Sequence, residues 1–139
     1  MAQKKRIGVI GCGQWGPNQI RTFFFHPGAE LRRICDRDPK RLNAVGSLYA
    51  GTDLCADYRE ITRADDIDAV VVATPVATHG QIVSDALAHS KDVLCEKPLT
   101  RTAAECRRLA RLASAKRRIF MVGHVFLYNP GILKLKEII

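Results

Sequence analysis

Three glycines near the start of the chain have the spacing of a phosphate-binding turn. They occupy the first, third and sixth positions of GCGQWG: Gly11, Gly13 and Gly16. Glycine would permit a tight turn at the first position, close approach of a pyrophosphate at the second, and close packing of helix on strand at the third. The backbone amides of Gln14 and Trp15 would then face the phosphates at the positive end of a helix. Glycines also occur wherever a chain turns sharply, so further residues have to support this interpretation.

An acidic residue further along supplies that support. Asp36 lies 20 residues after Gly16 and follows the alternating run ELRRIC. Its carboxylate can accept both hydroxyl protons of an adenosine ribose and would repel a 2′-phosphate, which favours NAD. Arg37 beside it can pair with a 2′-phosphate, so NADP stays open. In the alternative interpretation both residues are purely structural: Gly13 only relieves crowding, and Asp36 only begins a turn.

Alternating strand and helix patterns surround these residues. Apolar or alternating runs predict strands over 6–10, 30–35, near 54–58, over 68–74, at DVLCEKP and over 119–123. Segments between them predict helices. One follows Asp38 as N-cap over DPKRLNAVGSLYA, which ends at residue 50, and another is opened by a capping box of Thr102 and Glu105. The segment VATHGQIVSDALAHS predicts a helix with an apolar stripe of Ile82, Val83, Ala86 and Leu87. The alternation predicts an α/β fold: a doubly wound parallel sheet of the Rossmann dinucleotide-binding type, with helices on both faces.

Composition narrows the class of protein. The 139 residues are 47% hydrophobic and 26% charged, which fits one globular domain. No apolar run is long enough to cross a bilayer or to form the core of a signal peptide, so a cytoplasmic protein without a membrane partner is expected. The five cysteines contain no C-x-x-C pair, and reduced thiols with no metal site are expected.

The net charge of +8 raises the question of nucleic acid. The densest basic cluster falls mainly on one predicted helix and comprises Arg107, Arg108, Arg111, Lys116, Arg117 and Arg118. Such a cluster is typical of a solvated helix face, and a polyanionic small molecule explains the charge as well as DNA does. The prediction is therefore a dinucleotide partner and no nucleic acid.

Five segments carry a resemblance to a known family: GVIGCGQWG, CDRDP, IDAVVVATPVATH, KDVLCEKPLT and VGHVFLYNP. In this order they resemble the Gfo/Idh/MocA family of NAD(P)-dependent oxidoreductases, whose members act mostly on sugars, inositols and sugar nucleotides. The E-K-P after a buried strand is the most specific of them. GQWGPN and GHVFLYNPGILKLKEII further resemble the branch of the UDP-N-acetylglucosamine 3-dehydrogenase type, which implies oxidation at C3 of a nucleotide-linked sugar.

The resemblance implies roles for residues of two further turns. Thr74 and Pro75 would form a wall against the cofactor, with His79 near its nicotinamide half. Glu96 would hold the nicotinamide ribose. Lys97 would both contact the cofactor and act as the catalytic residue, pointing at the substrate hydroxyl beside the transferred hydride. Pro98 would bend the strand exit, and a cis Lys97–Pro98 bond is one way to do so.

The same resemblance implies a second α/β domain with most sugar contacts and a sheet for homo-oligomerisation. The expected division is a Rossmann domain over 1–125 and, over 126–139, the start of a connection towards that substrate domain. An end within an apolar-striped helix is expected to be a truncation. Three functions stay open: the cofactor-binding part of a dehydrogenase, incomplete as an enzyme by itself; a stand-alone nucleotide-binding module or subunit partner; and a basic nucleic-acid-binding protein.

Overall fold

The computed structural model describes residues 3–139, which form a six-stranded sheet with every strand parallel. The strands are β1 (Lys5–Ile10), β2 (Ala29–Cys35), β3 (Asp53–Cys55), β4 (Ala69–Val72), β5 (Asp92–Cys95) and β6 (Phe120–Val122). Their order across the sheet is β3-β2-β1-β4-β5-β6. The order therefore reverses between β1 and β4, as in a doubly wound dinucleotide-binding fold, and the predicted fold class is confirmed.

Six helices connect the strands or follow them. They are α1 (Gly16–Phe25), α2 (Pro39–Gly46), α3 (Arg59–Thr62), α4 (Val76–Ala88), α5 (Ala103–Ala115) and α6 (Pro130–Ile138), with a 3₁₀ turn at Val125–Tyr128. The helix α2 stops at Gly46, earlier than the pattern through residue 50 predicted. Glycine and serine at positions 46 and 47 are weak helix formers, which accounts for the early end.

Side-chain caps fix where two of the helices begin. Asp38 Oδ1 accepts hydrogen bonds from the amides of Lys40 and Arg41, so the predicted N-cap of α2 is confirmed. Thr102 Oγ1 accepts from the amide of Glu105 at 3.2 Å, which caps α5. The Glu105 carboxylate accepts the Thr102 hydroxyl, not the Thr102 amide, so only half of the predicted capping box forms.

The core lies on both faces of the sheet. Val70, Val71 and Val72 of β4 are buried, as expected for a central strand covered on both sides. The predicted stripe of α4 is also buried: Ile82, Val83, Ala86 and Leu87. Burial ends at Gly123, and every residue over 124–139 is exposed. Within residues 3–139, no helix is both long and apolar enough to span a bilayer. A rigid sheet thus holds the turns at its carboxyl edge in place.

Candidate functional site

A cleft of about 740 Å³ opens at the carboxyl edge of the sheet, above the reversal of strand order. The turns after β1, β2, β4 and β5 form its walls. Ten of the residues expected to bind cofactor line it: Gly11, Gly13, Gln14, Trp15, Asp36, Arg37, Thr74, Pro75, Glu96 and Lys97. Gly16 and His79 lie outside the lining. The chain thus brings together residues that are separated by up to 86 positions in the sequence.

Packing within the protein accounts for two of the three glycines. Gly11 has a φ of +106°, and a Cβ there would lie 2.6 Å from the carbonyl oxygen of Ala73. A Cβ on Gly16 would overlap the carbonyl group of Gly11. Gly16 therefore lets α1 start directly against the turn, the role that its position predicted.

Gly13 differs from both, because the protein leaves free space beside it. A Cβ at Gly13 would meet only Arg41 Nη1, at 4.0 Å, and its φ lies outside the left-handed region. Relief of crowding within the protein is therefore wrong as an explanation of this glycine. The free space lies at the cleft, where a ligand could approach the main chain closely.

The turn also presents unpaired backbone donors to the cleft. Among residues 3–139, the amides of Gly13, Gln14 and Trp15 find no protein acceptor, and the start of α1 has no side-chain cap. Trp15 is 47% exposed. Free amides at the positive end of a helix form an anion-binding site, which fits the pyrophosphate of a dinucleotide.

Asp36 connects the glycine turn to the end of β2. Its Oδ2 accepts from the amide of Cys12 at 2.6 Å, and its Oδ1 accepts from the amide of Asp38 at 2.8 Å. The carboxylate thus stabilises both the glycine turn and its own turn. A carboxylate oxygen can accept more than one hydrogen bond, so acceptor capacity is left for ribose hydroxyls.

Two guanidinium groups lie near this carboxylate. Arg37 is exposed at the cleft wall, and Arg41 Nε pairs with Asp38 Oδ2 at 3.3 Å. Arg41 was not among the residues predicted from the sequence. Its position three residues after the predicted N-cap Asp38 could have placed it in the first turn of α2, beside Arg37. These cations lie where a 2′-phosphate of NADP would approach Asp36.

Glu96 and Lys97 follow β5 on the opposite side of the cleft. Glu96 is 8% exposed, and its Oε1 accepts from the side-chain amide of Gln19 at 2.6 Å. Lys97 is exposed, and its ammonium group has no hydrogen-bond partner among residues 3–139. The Lys97–Pro98 peptide bond is cis, as anticipated. The result is a fixed carboxylate beside a free ammonium group.

His79 packs beneath the cleft and does not line it. Its ring is 1% exposed; Nε2 lies 2.7 Å from the Thr74 carbonyl oxygen, and Nδ1 lies 3.0 Å from that of Pro98. The ring therefore joins the turn after β4 to the turn after β5. Contact with the nicotinamide half, which the family resemblance implied, would require the ring to leave these carbonyl groups.

Several residues of the cleft wall were absent from the sequence-based set. Besides Arg41, those with polar side chains are Asp38, Tyr58, Thr78 and Gln81. Gln81 Nε2 donates to the Tyr58 hydroxyl at 3.2 Å, which closes one end of the cleft. Tyr58 follows β3, and Thr78 and Gln81 lie in α4, so only the folded arrangement brings them to the same edge as Asp38.

The thiol nearest the turn is unsuited to nucleophilic chemistry. Burial and the charge of Asp36 raise the pKa of Cys12 to about 12, so this side chain stays a neutral thiol. Within residues 3–139, no three His, Cys, Asp or Glu side chains are grouped as metal ligands. The groups that can bind a ligand in the cleft are thus the free amides of the glycine turn, the carboxylates of Asp36 and Glu96, and the ammonium group of Lys97.

Comparison with known proteins identifies the family of the chain. The family model described as GFO_IDH_MocA, oxidoreductase family, NAD-binding Rossmann fold, matches residues 5–124. An inositol 2-dehydrogenase from Burkholderia multivorans is 39% identical over 138 residues, which cover 96% of this chain and 41% of that protein. An inositol 2-dehydrogenase from Rubrobacter xylanophilus is 32% identical over 138 residues, which cover 98% of this chain and 40% of that protein.

Solved structures of NADP-bound oxidoreductases share the fold of the chain. KijD10, a 3-ketoreductase from Actinomadura kijaniata in complex with NADP, superposes with a TM-score of 0.90 at 28% identity, over 98% of this chain and 44% of that one. Biliverdin reductase from Synechocystis, in complex with biliverdin and NADP⁺, superposes with a TM-score of 0.84 at 25% identity, over 88% of this chain and 39% of that one. The chain thus spans about two fifths of the length of these proteins.

Proposed function

The chain belongs to the Gfo/Idh/MocA oxidoreductase family with an NAD-binding Rossmann fold, and from that premise we propose that its cleft holds the cofactor of a dehydrogenase acting on a sugar or cyclitol hydroxyl. The observation that carries the proposal is the row of free amides at Gly13, Gln14 and Trp15 beside Asp36. In this proposal the amides bind the pyrophosphate and Asp36 binds the adenosine ribose.

The other end of the cleft would take the nicotinamide half. Thr74 and Pro75 form its wall, and Glu96 is held in one orientation by Gln19, which suits it to hydrogen-bond a ribose hydroxyl. His79 would act from below, by holding the Thr74 and Pro98 carbonyl groups. When bound, the nicotinamide would supply the hydride acceptor or donor.

Lys97 is proposed as the catalytic residue, which would hydrogen-bond the substrate hydroxyl. Its ammonium group lines the cleft and has no partner within the described part of the chain, so it can hydrogen-bond a substrate hydroxyl. A cation there would stabilise the negative charge that develops on the hydroxyl oxygen as its proton leaves, before hydride leaves the carbon. Glu96 is assigned to the ribose and takes no part in this step.

Both cofactors are compatible with the cleft, and NAD is proposed as the preferred one. Asp36 favours the 2′-hydroxyl of NAD, whereas Arg37 and Arg41 could accept the 2′-phosphate of NADP. Asp38 pairs with Arg41 and reduces the positive charge available to a phosphate. For these reasons we expect the affinity for NADH to exceed that for NADPH.

Two substrate classes have support among the similar proteins. The inositol 2-dehydrogenases, at up to 39% identity, support a cyclitol hydroxyl. Two observations support oxidation at C3 of a nucleotide-linked sugar. They are the segment GQWGPN and the similarity to KijD10, a 3-ketoreductase that was also solved with TDP-benzene. The nucleotide-sugar reaction is the finer proposal, and parallel assays with myo-inositol and UDP-N-acetylglucosamine would separate the two.

The proposed boundary of the cofactor domain lies at residue 125. It is supported by the end of burial at Gly123 and by the exposure of every side chain after it. Residues 126–139, with α6, would form the start of a connection to a substrate domain. With about two fifths of the length of its relatives, the chain by itself is expected to bind cofactor and to turn over little substrate.

Calorimetric titration of the chain with NADH, NADPH and a DNA duplex tests this function. We expect saturable binding of one NADH per chain and weaker binding of NADPH. Absence of NADH binding would overturn the proposal, and a DNA affinity that falls steeply with salt would instead favour the basic face of α5 as a nucleic-acid site. Sustained hydride transfer by the chain alone would contradict its incompleteness as an enzyme.

A further inference from the structure

Two cysteines lie side by side under the adenosine end of the cleft. Cys35 ends β2 and Cys55 ends β3, and the two residues are direct partners in the parallel ladder. Their side chains belong to the same buried cluster on one face of the sheet. Neighbouring strands lie about 4.8 Å apart, within the range of about 4.4–6.8 Å that a disulfide requires between Cα atoms.

The two thiols lie on neighbouring strands and belong to the same core. Cys55 donates its S–H to the carbonyl oxygen of Ile34 at 3.7 Å. The neighbouring Cys35 thiol lowers the pKa of Cys55, because a polar S–H beside a thiolate stabilises it. The same interaction, together with burial, raises the pKa of Cys35. Cys55 is therefore the sulfur of the pair that ionises more readily.

The backbone of the same two residues holds the proposed cofactor site. The Cys35 carbonyl accepts from the amide of Gly11 at 2.7 Å, and the Cys55 carbonyl accepts from the amide of Asp36 at 3.3 Å. Cys35 contributes to the cleft wall and is 1% exposed, and Cys55 is 7% exposed. A shift of either carbonyl group would move the glycine turn or the ribose-binding carboxylate.

We propose that Cys35 and Cys55 form a reversible disulfide that lowers the affinity of the cleft for the dinucleotide. This inference rests on the proposed function for the identity of the ligand. A disulfide holds its sulfurs at about 2.05 Å and its Cβ atoms at about 3.8 Å, closer than the spacing of about 4.8 Å between neighbouring strands. The Cβ atoms at the two strand ends must therefore draw together, and the hydrogen bonds that the two carbonyl groups accept from Gly11 and Asp36 change with them.

A hydroperoxide supplies the oxidising equivalents. The Cys55 thiolate attacks the terminal peroxide oxygen, the O–O bond breaks, and a sulfenic acid forms as the alkoxide or hydroxide leaves and takes a proton. The Cys35 sulfur then attacks the sulfenic sulfur, the S–S bond forms, and water leaves with the Cys35 proton. The two sulfurs lose two electrons in total, and the peroxide gains them.

The other buried thiols near the cleft or in the core lack this arrangement. Burial raises the pKa of Cys12 and of Cys95 to about 12, so neither forms a thiolate readily. Cys12 also packs in the cluster on the opposite face from Cys35. Cys106 on α5 is half-buried and lies away from the cleft lining, which makes it a suitable control.

Peroxide treatment of the 139-residue chain tests the proposal in two independent readouts. Tryptic mass spectrometry without reductant should find the peptides of Cys35 and Cys55 joined, with the loss of two hydrogens. The Kd for NADH, measured by titration, should rise about tenfold, equivalent to ~1.4 kcal/mol, and dithiothreitol should restore it. Saturating NAD should slow the cross-link, because ligand binding and oxidation are reciprocally coupled.

Matched variants separate this effect from general oxidation. Cys55→Ser, with Cys55→Ala as a second variant if the first does not fold by circular dichroism, should show no peroxide effect relative to its own untreated form. Cys106→Ser should respond like the unaltered chain. Peroxide doses that oxidise Cys106 without joining Cys35 to Cys55, or a cross-link that leaves the Kd unchanged, would overturn the proposal. The cross-link is read by mass, so failure of NADH binding in the reduced chain would count against the proposed function separately.

Discussion

Replacing Gly13 with alanine should separate cofactor binding from folding. A Cβ at this position would meet only Arg41 Nη1, at 4.0 Å, and the backbone does not adopt the left-handed conformation there. We therefore expect the free energy of unfolding to change by no more than about 0.5 kcal/mol. Reduced conformational freedom of the unfolded chain could even stabilise Gly13→Ala slightly.

The same methyl group should weaken NADH binding strongly. It occupies the space through which a pyrophosphate would reach the amides of Gly13, Gln14 and Trp15. Loss of one hydrogen bond to a charged oxygen costs ~1.5–3 kcal/mol. By the relation between free energy and affinity, the Kd for NADH should therefore rise about 10- to 100-fold.

Urea unfolding and NADH titration of the same sample measure the two effects. Gly51→Ala is the matched control, because Gly51 has a φ of +82° with open space around it and lies outside the cleft lining. That variant should lose ~1–2 kcal/mol of stability through strain and keep its NADH affinity. If Gly13→Ala binds NADH as well as the unaltered chain does, the assignment of the pyrophosphate to this turn is wrong.

Further predictions concern single side chains. Asp36→Ala should weaken NADH more than NADPH in parallel titrations, and equal losses would mean that the carboxylate does not contact the ribose. His79→Phe should lower the free energy of unfolding in urea by about 2–4 kcal/mol, because the carbonyl groups that the ring contacts lose their partner. Lys97→Met alters an exposed side chain, so the free energy of unfolding should change by no more than ~0.5 kcal/mol. The hydrogen bond from Arg6 lowers the pKa of Asp68 from 3.8 to about 2, so the stabilisation by this pair should be present above pH 3.8 and lost as the pH falls towards 2. Asp68→Asn should flatten that part of the profile of unfolding free energy against pH.

Much of the fold could be predicted because local patterns agreed with the final packing. The run VVV of β4 is apolar on both faces, and only a central strand buries it fully. Asp38 followed by Pro39 defines the start of α2 by cap chemistry alone. The end of α2 was missed because the apolar residues after it, including the buried Tyr49, pack as a turn and imitate a continuing helical stripe.

The candidate site was predictable where the backbone conformation or packing requires a particular residue type. The requirement for glycine at positions 11 and 16 follows from close backbone contacts, and these were anticipated. Contacts between distant segments impose no such requirement on the sequence. The bond from Gln19 to Glu96 spans 77 positions, and the ring of His79 contacts Pro98 only because α4 packs beside the turn after β5.

Amide chemical shifts of the ¹⁵N-labelled chain, followed during titration with NADH, test the central claim most directly. The account predicts saturable changes that are largest at Gly13, Gln14 and Trp15, with a second group at Asp36 and its neighbours. The amides of α5, on which much of the basic cluster lies, should stay nearly unchanged. Saturable changes centred on α5, or no saturable change at the glycine turn, would contradict the assignment of this cleft as the dinucleotide site.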